Sequence, residues 1–298
     1  MRISPLVLLG MLALLLWSRP VHAASSYDNC AGFITSMPAV ISTPGTWCLK
    51  QDVTTAITEG DAITISADNV TLDCNDFRID GLAAGPTTGA VGIYAQNGSN
   101  ERVRHCNIRG FSIGLYFNVA AETKGGRSVV EDNHFDQNIE YGVEVEGDQN
   151  VVRRNEILHT GNAGVQAASV GIQTNNTGSD DIIDNTILGV SGECGSALCG
   201  TGIVVGTESN EGTNVIGNRI GGLPPDTSGA VGILIDDDAG AQVAVRDNEL
   251  IGSGGTGTGV SCPDTGGEPE VRVHDNVIAG FATARFQCTD AGENDTSP

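Results

Sequence analysis

The sequence predicts an all-β solenoid in which short strands coil and stack in parallel. Three observations carry that prediction: a string with Asn at a fixed position recurs along the chain, a second string opening with Gly alternates with it, and Val and Ile are prominent while aromatic residues are only 4%.

The first string reads apolar, any, any, Asn, any, apolar. It runs Val130 to Asn133 to Phe135, Val152 to Asn155 to Ile157, Ile182 to Asn185 to Ile187, Val215 to Asn218 to Ile220, Val245 to Asn248 to Leu250, and Val273 to Asn276 to Ile278. Two earlier copies fit more loosely, Leu72 to Asn75 and Val103 to Ile108, the latter with Cys106 in the Asn slot. The shortest step between slots, from 133 to 155, is the bare unit of 22 residues.

The second string is Gly, apolar, any, apolar. It appears at Gly92-Ile93-Tyr94-Ala95, Gly114-Leu115-Tyr116-Phe117, Gly142-Val143-Glu144-Val145, Gly171-Ile172-Gln173-Thr174, Gly202-Ile203-Val204-Val205, Gly232-Ile233-Leu234-Ile235 and Gly259-Val260-Ser261-Cys262. Alternation with period two marks these as short strands. Each unit therefore offers three strands, one from the Gly string and two flanking the Asn, and none buries a face alone. Stacked in parallel about 4.8 Å apart, the units solve that problem, because inward Ile, Val and Leu then form continuous ladders. Asn at one turn position bonds its neighbours along such a stack. Abundant Gly and β-branched residues weigh against a helical solenoid, and a β-sandwich would not need Asn at one register in every copy.

Charge and composition narrow the function. Fifteen Lys and Arg stand against 37 Asp and Glu, a formal charge of -22, which argues against a nucleic-acid partner because phosphate contacts need clustered cations. Gly, at 41 of 298 residues, is about twice its usual share, but a hydrophobic fraction of 39% separates the chain from low-complexity disorder. Residues 1 to 23 read as a cleaved signal peptide: Arg2, an apolar run from Leu6 to Trp17, then Val21-His22-Ala23 with small residues before the cut. That run is shorter than the roughly 20 residues a membrane span requires, so no membrane insertion is expected. Eight Cys, all beyond residue 23, fit an oxidising compartment, secreted or periplasmic. A metal centre is the rival use, but Cys194 and Cys199 have no second close Cys or Cys/His pair to complete a tetrahedral site.

With the repeats in place, the chain resembles the right-handed parallel β-helix proteins of the pectate-lyase-like superfamily, and its Asn positions are similar to that group's asparagine ladder. The opening Pro44-Gly45-Thr46-Trp47-Cys48-Leu49-Lys50-Gln51-Asp52-Val53, followed by Asp61 to Ser66 and Asn69 to Asp73, is similar to the start of many secreted bacterial members. The resemblance spans roughly residues 40 to 288. It implies a single right-handed coil of about eight turns, divided into an amino-terminal cap with first strands over 24–60, the β-helix over 61–288, and a flexible tail over 289–298. Stacked turns then pair Cys74 with Cys106 and Cys262 with Cys288 in adjacent slots, Cys194 with Cys199 across a loop, and Cys30 with Cys48 at the cap. Such ties suit the open ends of a β-helix, whose strand edges invite other chains.

The resemblance implies an extracellular or cell-envelope polysaccharide as partner, bound along the outward face of the Gly-string sheet, with cleavage there, by a lyase or a hydrolase, left open. Outward residues alternate with inward ones, so that face reads Tyr94, Tyr116, Glu144, Gln173, Val204, Leu234 and Ser261 from turn to turn. Tyr94 and Tyr116 offer a platform for sugar rings, and the alternative is that they cover loop backbone. Glu144 and Glu146 stand two apart on one strand, hence on one face, where they can serve as acid and base or hold a cation, or simply form a solvated edge. Lys124 and Arg127, in the insertion after Phe117, are candidate bases by analogy with polysaccharide lyases of this fold, in which Ca2+ or another cation neutralises the uronate. The alternative for both is a solvated loop cation. Asp236, in Asp236-Asp237-Asp238, resembles the paired Asp of polygalacturonases. That group's Asn-Thr-Asp, Gly-His-Gly and Arg-Ile-Lys motifs are missing, as is the Arg-x-Pro-x-x-Arg string of pectate lyases. No cofactor is assigned; Ca2+ is the one option the resemblance and the acidic charge leave open, without an assigned metal site. The competing reading of the whole chain is a non-catalytic β-helix scaffold or surface-interaction protein.

Overall fold

Every repeat turns three corners and so gives one strand to each of three parallel sheets. The computed structural model describes residues 27–120, 125–161, 169–191, 199–207, 212–223, 230–237, 242–254, 257–263 and 270–297. Among these, strands preceding the Asn slot, such as Val129–Glu131, Val151–Arg153 and Asp181–Ile183, build an 11-stranded sheet. Strands following the slot, such as His134–Asp136, Glu156–Leu158 and Thr186–Leu188, build a 10-stranded sheet. The Gly strings, including Val91–Gln96, Ile113–Asn118, Tyr141–Glu146 and Ser169–Thr177, build a second sheet of 10 strands. Between them run ladders of identical chemistry. Ile93, Leu115, Val143, Ile172, Ile203, Ile233 and Val260 follow one another in register, all fully buried.

Two of the corners are built from polar side chains. At the Asn corner, Asn133, Asn155, Asn185, Asn218, Asn248, Asn276 and Asn294 form an unbroken ladder. Each Asn Oδ1 from 155 onward accepts both the backbone N–H and the side-chain amide of the Asn one turn earlier, at 2.8–3.2 Å. The residue before the slot is left-handed, with φ near 55° at Asp132, Arg154, Asp184, Asp247 and Asp275. Short polar residues tolerate that conformation best, which explains the Asp-Asn pairs in the repeat. A second ladder lines the corner between the Gly-string sheet and the sheet before the Asn slot. There Ser128 Oγ donates to Glu101 (2.6 Å), while the backbone N–H groups of Ser128 and Asn150 donate to the side chains of Asn150 (3.1 Å) and Asp180 (2.7 Å).

The Gly at the head of each Gly string has a steric cause. A Cβ on Gly171 would sit 2.6 Å from the Gly202 carbonyl oxygen, and one on Gly202 would sit 2.6 Å from that of Gly232. The strands approach each other there too closely for any side chain.

The coil extends further at its carboxyl-terminal end than the sequence suggests. Gly45–Leu49 pairs with Val70–Asp73, Ala39–Ile41 with Asp61–Ile65 and Val53–Thr54 with Arg78–Asp80, so the first strands within 24–60 contribute to all three sheets. Likewise, the segment read as a flexible tail forms strands Thr289–Gly292 and Asp295–Ser297, stacked on Glu270–His274 and Val277–Ala279. Asn294 is the reason: it takes the ladder position after Asn276, which continues the repeat past 288.

Disulfides join Cys30 to Cys48, Cys74 to Cys106 and Cys262 to Cys288, with Cα separations of 5.9, 4.7 and 5.2 Å. The Cys74–Cys106 bridge stands at the Asn corner just before the unbroken ladder starts at Asn133. Cys194, and with it the expected Cys194–Cys199 pair, lies outside the described residues, as does the expected leader. No helix among the described residues is long and apolar enough to cross a membrane.

Candidate functional site

The Gly-string sheet shows three outward rows, because the Gly bulge at the head of each strand makes the spacing three and then two. The middle row is Thr64, Tyr94, Tyr116, Glu144, Gln173, Val204, Leu234 and Ser261, in register from rung to rung. Tyr94, Tyr116, Glu144 and Gln173 are thus brought onto four successive rungs. On one side runs a row of Gln96, Asn118, Glu146, Asn175, Gly206 and Asp236, and on the other a row of Asp61, Val91, Ile113, Tyr141, Val170 and Thr201.

Farther along the stack, Val170, Val204 and Leu234 are buried and form a separate apolar cluster with Tyr141 and Val231 against it. The half-open part of the face is therefore the stretch around Tyr94, Tyr116, Glu144 and Glu146. The two Tyr rings lie 5.6 Å apart, tilted by 57°, a step between neighbouring rungs that matches the pitch of the coil.

Glu144 is 8% exposed, and its Oε1 accepts one hydrogen bond, from Asn175 Nδ2 at 3.2 Å. Burial first, and then the charge of Glu146, push its carboxyl up to about 7 against that one bond. Glu146 is also raised by burial, but it is better solvated by the protein: it accepts the Tyr116 hydroxyl at 3.0 Å and the Val119 N–H at 3.1 Å. Asn118 Nδ2 in turn donates to the Tyr116 hydroxyl oxygen. The phenols respond in the same sense. Burial, with Glu144 and Glu140 behind it, pushes Tyr141 up to about 12, and Tyr94 and Tyr116 are likewise held above the usual phenol value by burial and carboxylate neighbours. Next to Glu144, Gln173 is also 8% exposed, and its Oε1 has no hydrogen-bond partner among the described residues. Two carboxyls with different hydrogen-bond support and two Tyr rings can grip a polyhydroxylated molecule and exchange a proton with it.

The other expected residues are not gathered here. Arg127 is exposed, and it occupies the turn that enters Val129–Glu131, off the three outward rows. Asp236 does share the Glu146 row, but three rungs away, about 14 Å at the spacing of stacked strands, too far to flank one bond with Glu144 or Glu146. Lys124 lies outside the described residues. Among the described residues, no group of three or more His, Cys, Asp and Glu is placed to hold a metal. Tyr141, Asn118 and Asn175 escaped the sequence reading because only one outward residue was taken from each Gly string. Reading the positions three before and two after it would have found all three.

Such a coil, with a polar outward stripe on one sheet, defines a class of protein before any comparison is made. The right handed beta helix region family matches residues 51–220, more than half of the chain, and the chain belongs to that family. No curated protein matches the sequence. Among solved structures, the Dettilon tailspike protein is similar with a TM-score of 0.50 and 13% identity, over 89% of this chain and 60% of that one. The alginate lyase from Paenibacillus sp. str. FPU-7 is similar with a TM-score of 0.50 and 16% identity, over 89% of this chain and 97% of that one. The chain thus spans less than two thirds of the tailspike and nearly all of the lyase, and at these identities the likeness is one of fold.

Proposed function

We propose that this chain binds an extracellular polysaccharide along the Gly-string face and hydrolyses it with Glu144 and Glu146. The observation that carries the reading is the Glu144–Glu146 pair itself, two carboxyls on one outward face with different hydrogen-bond support, beside the Tyr94–Tyr116 step. An alginate lyase on the same fold supports a glycan as partner, since a long stacked face suits a long polymer. The three disulfides support work in an oxidising compartment, outside the cytoplasm.

In this reading Glu144, half protonated near neutral pH, gives its proton to the glycosidic oxygen as the bond to the anomeric carbon breaks. A water attacks that carbon and its proton passes to Glu146, which Tyr116 and Val119 keep better able to hold charge. Tyr94 and Tyr116 stack on flanking sugars.

The test is to incubate the folded protein with a panel of polysaccharides and look for new chain ends by mass spectrometry. New saturated ends, lost in Glu144→Gln while binding persists, are the expected result. Unsaturated ends would replace hydrolysis by elimination. No new ends with any polymer, and unchanged binding in Tyr94→Ala and Tyr116→Ala, would leave a scaffold and overturn the proposal.

A further inference from the structure

We infer that the Gly-string face selects a glycan free of carboxylate and sulfate groups, and discriminates against polyuronates. The inference rests on the polysaccharide reading above and names the class of polymer within it. Its first ground is the census of side chains that point outward from the sheet. From Asp61 to Ser261 the described outward positions carry Asp61, Glu144, Glu146 and Asp236, together with Tyr, Gln, Asn, Thr, Ser and aliphatic residues, and not one Lys or Arg. A bound uronate would set its carboxylate against these, with no Lys or Arg at the described outward positions to answer it.

The second ground is where the cations are. Arg102, Arg104, Arg153 and Arg154 gather on and beside the strands before the Asn slot, and each is engaged by a carboxylate there: Arg102, Arg153 and Arg154 by Glu131, and Arg104 by Asp73. Arg109 is held by Asp80 on the sheet after the slot. The protein thus places these arginines on its two other sheets and leaves the Gly-string face acidic, within a chain whose formal charge is -22. Like-charge contact at a half-buried site is penalised more heavily than in water, so the discrimination is strong at low ionic strength and fades with salt.

The third ground is what the face offers instead. Sugar hydroxyls are donors as well as acceptors, and the face presents acceptors that lack donors. Among the described residues Gln173 Oε1 is buried without a partner, and Glu144, equally buried, accepts a side-chain bond from Asn175. A neutral sugar brings hydroxyls that donate to the carboxylates of the face and stacks its apolar ring face on Tyr94 or Tyr116. An anionic sugar brings acceptors to a place already rich in them.

The experiment is affinity electrophoresis of the full folded protein in gels containing a neutral glucan, xylan or mannan, set against polygalacturonate and alginate. Each is run at low and high salt, with chelator and with Ca2+. Retardation by a neutral polymer that is lost in Tyr94→Ala, with polyuronates at least about tenfold weaker at low salt and a smaller gap at high salt, is the expected result. Partial rescue of polyuronate binding in Glu146→Gln would support it further. Polyuronate retardation equal to or above that of the neutral polymers, with or without Ca2+, and lost in Tyr94→Ala, would overturn the charge selection while leaving the polysaccharide reading intact. If no polymer of either kind retards the protein, the polysaccharide reading itself falls, and this inference with it.

Discussion

The Tyr116 hydroxyl reaches diagonally across one rung to donate to Glu146 Oε1 at 3.0 Å, while the residue directly opposite Tyr116 is Glu144. One phenol therefore stacks with Tyr94 on one side and supports the charge of the better solvated carboxylate on the other. Tyr116→Phe separates the two roles. Removing a hydrogen bond to a charged group costs about 1.5–3 kcal/mol when the group is buried, and Glu146 is half-buried. We expect the variant to lose about 1–2 kcal/mol at pH 8, measured by urea denaturation, with less loss at pH 4 where the carboxyl is protonated. Glycan retardation in gels should survive in Tyr116→Phe and fall in Tyr116→Ala. Equal losses of binding in both would show that stacking is not what Tyr116 supplies.

Glu144 makes a prediction of the opposite sign. Its carboxyl is raised from 4.5 to about 7 by burial and by Glu146, so in the unfolded chain it ionises near 4.5 and in the folded chain near 7. Its contribution to stability is whole below pH 4.5 and is lost as pH rises to 7, by roughly 3 kcal/mol at 1.36 kcal/mol per pH unit. Glu144→Gln keeps an acceptor for Asn175 and removes the charge. The variant should be more stable than the parent at pH 8, by up to about 3 kcal/mol, and indistinguishable at pH 4. Thermal melts at the two pH values decide it, and a variant less stable at pH 8 would show that Glu144 is not held in a desolvated place.

Most of the fold was legible because the repeat is a direct image of its own geometry. Val-x-x-Asn-x-Ile names an inward residue, an outward one, a left-handed turn residue, a ladder Asn and the next inward residue, and the Gly string names the point of closest approach between rungs. Stacking these copies was enough to bring Tyr94, Tyr116, Glu144 and Gln173 onto consecutive rungs of one face. What stayed hidden has two physical causes. The second polar ladder of Glu101, Ser128, Asn150 and Asp180 changes residue type at each rung, so no string repeats and only coordinates reveal it. The end of the coil was misread for a related reason: Asn294 follows Asn276 by 18 residues, closer than any earlier step, and without a Gly string between them the segment reads as a tail.

Glu131 is the counterpart of Glu144 on the next sheet. Its burial would raise the carboxyl, but Arg153, Arg102 and Arg154 together outweigh it and hold the group below the usual carboxylate range. The nearest contacts are 2.7 Å to Arg102 and Arg153 and 3.0 Å to Arg154. A lowered pKa stabilises above the unfolded value and is lost as pH falls through the folded one, so this network weakens below about pH 4.5. Glu131→Gln should cost about 2–3 kcal/mol at pH 7, because three Arg lose their shared partner, and should flatten the acid limb of the stability profile. An unchanged acid limb would assign acid sensitivity to other carboxylates.

The Asn ladder sets a final, steeper test. Asn185 Oδ1 accepts the backbone N–H and side-chain amide of Asn155, both at 3.0 Å, while its own Nδ2 donates to the Val152 carbonyl at 2.9 Å and to Asn218 Oδ1 at 3.0 Å. All four groups are buried, so truncation leaves donors and acceptors with no water to replace the partner. Asn185→Ala should cost about 3–5 kcal/mol, and Asn185→Asp at neutral pH should cost at least as much, because a carboxylate cannot donate to Val152 or to Asn218. At the carboxyl-terminal end, Asn294→Ala should cost far less. Its Oδ1 still receives two bonds from Asn276 at 3.1–3.2 Å, but the site is only half-buried and water can take its place. Urea denaturation of the three variants orders them, and hydrogen exchange locates the loss. Protection should fall at the turns around 155 and 218 in the first two, and at the final rung alone in the third. Equal costs at 185 and 294 would mean that the ladder is decoration on a coil held by its Ile and Val stacks, rather than the element that fixes the corner.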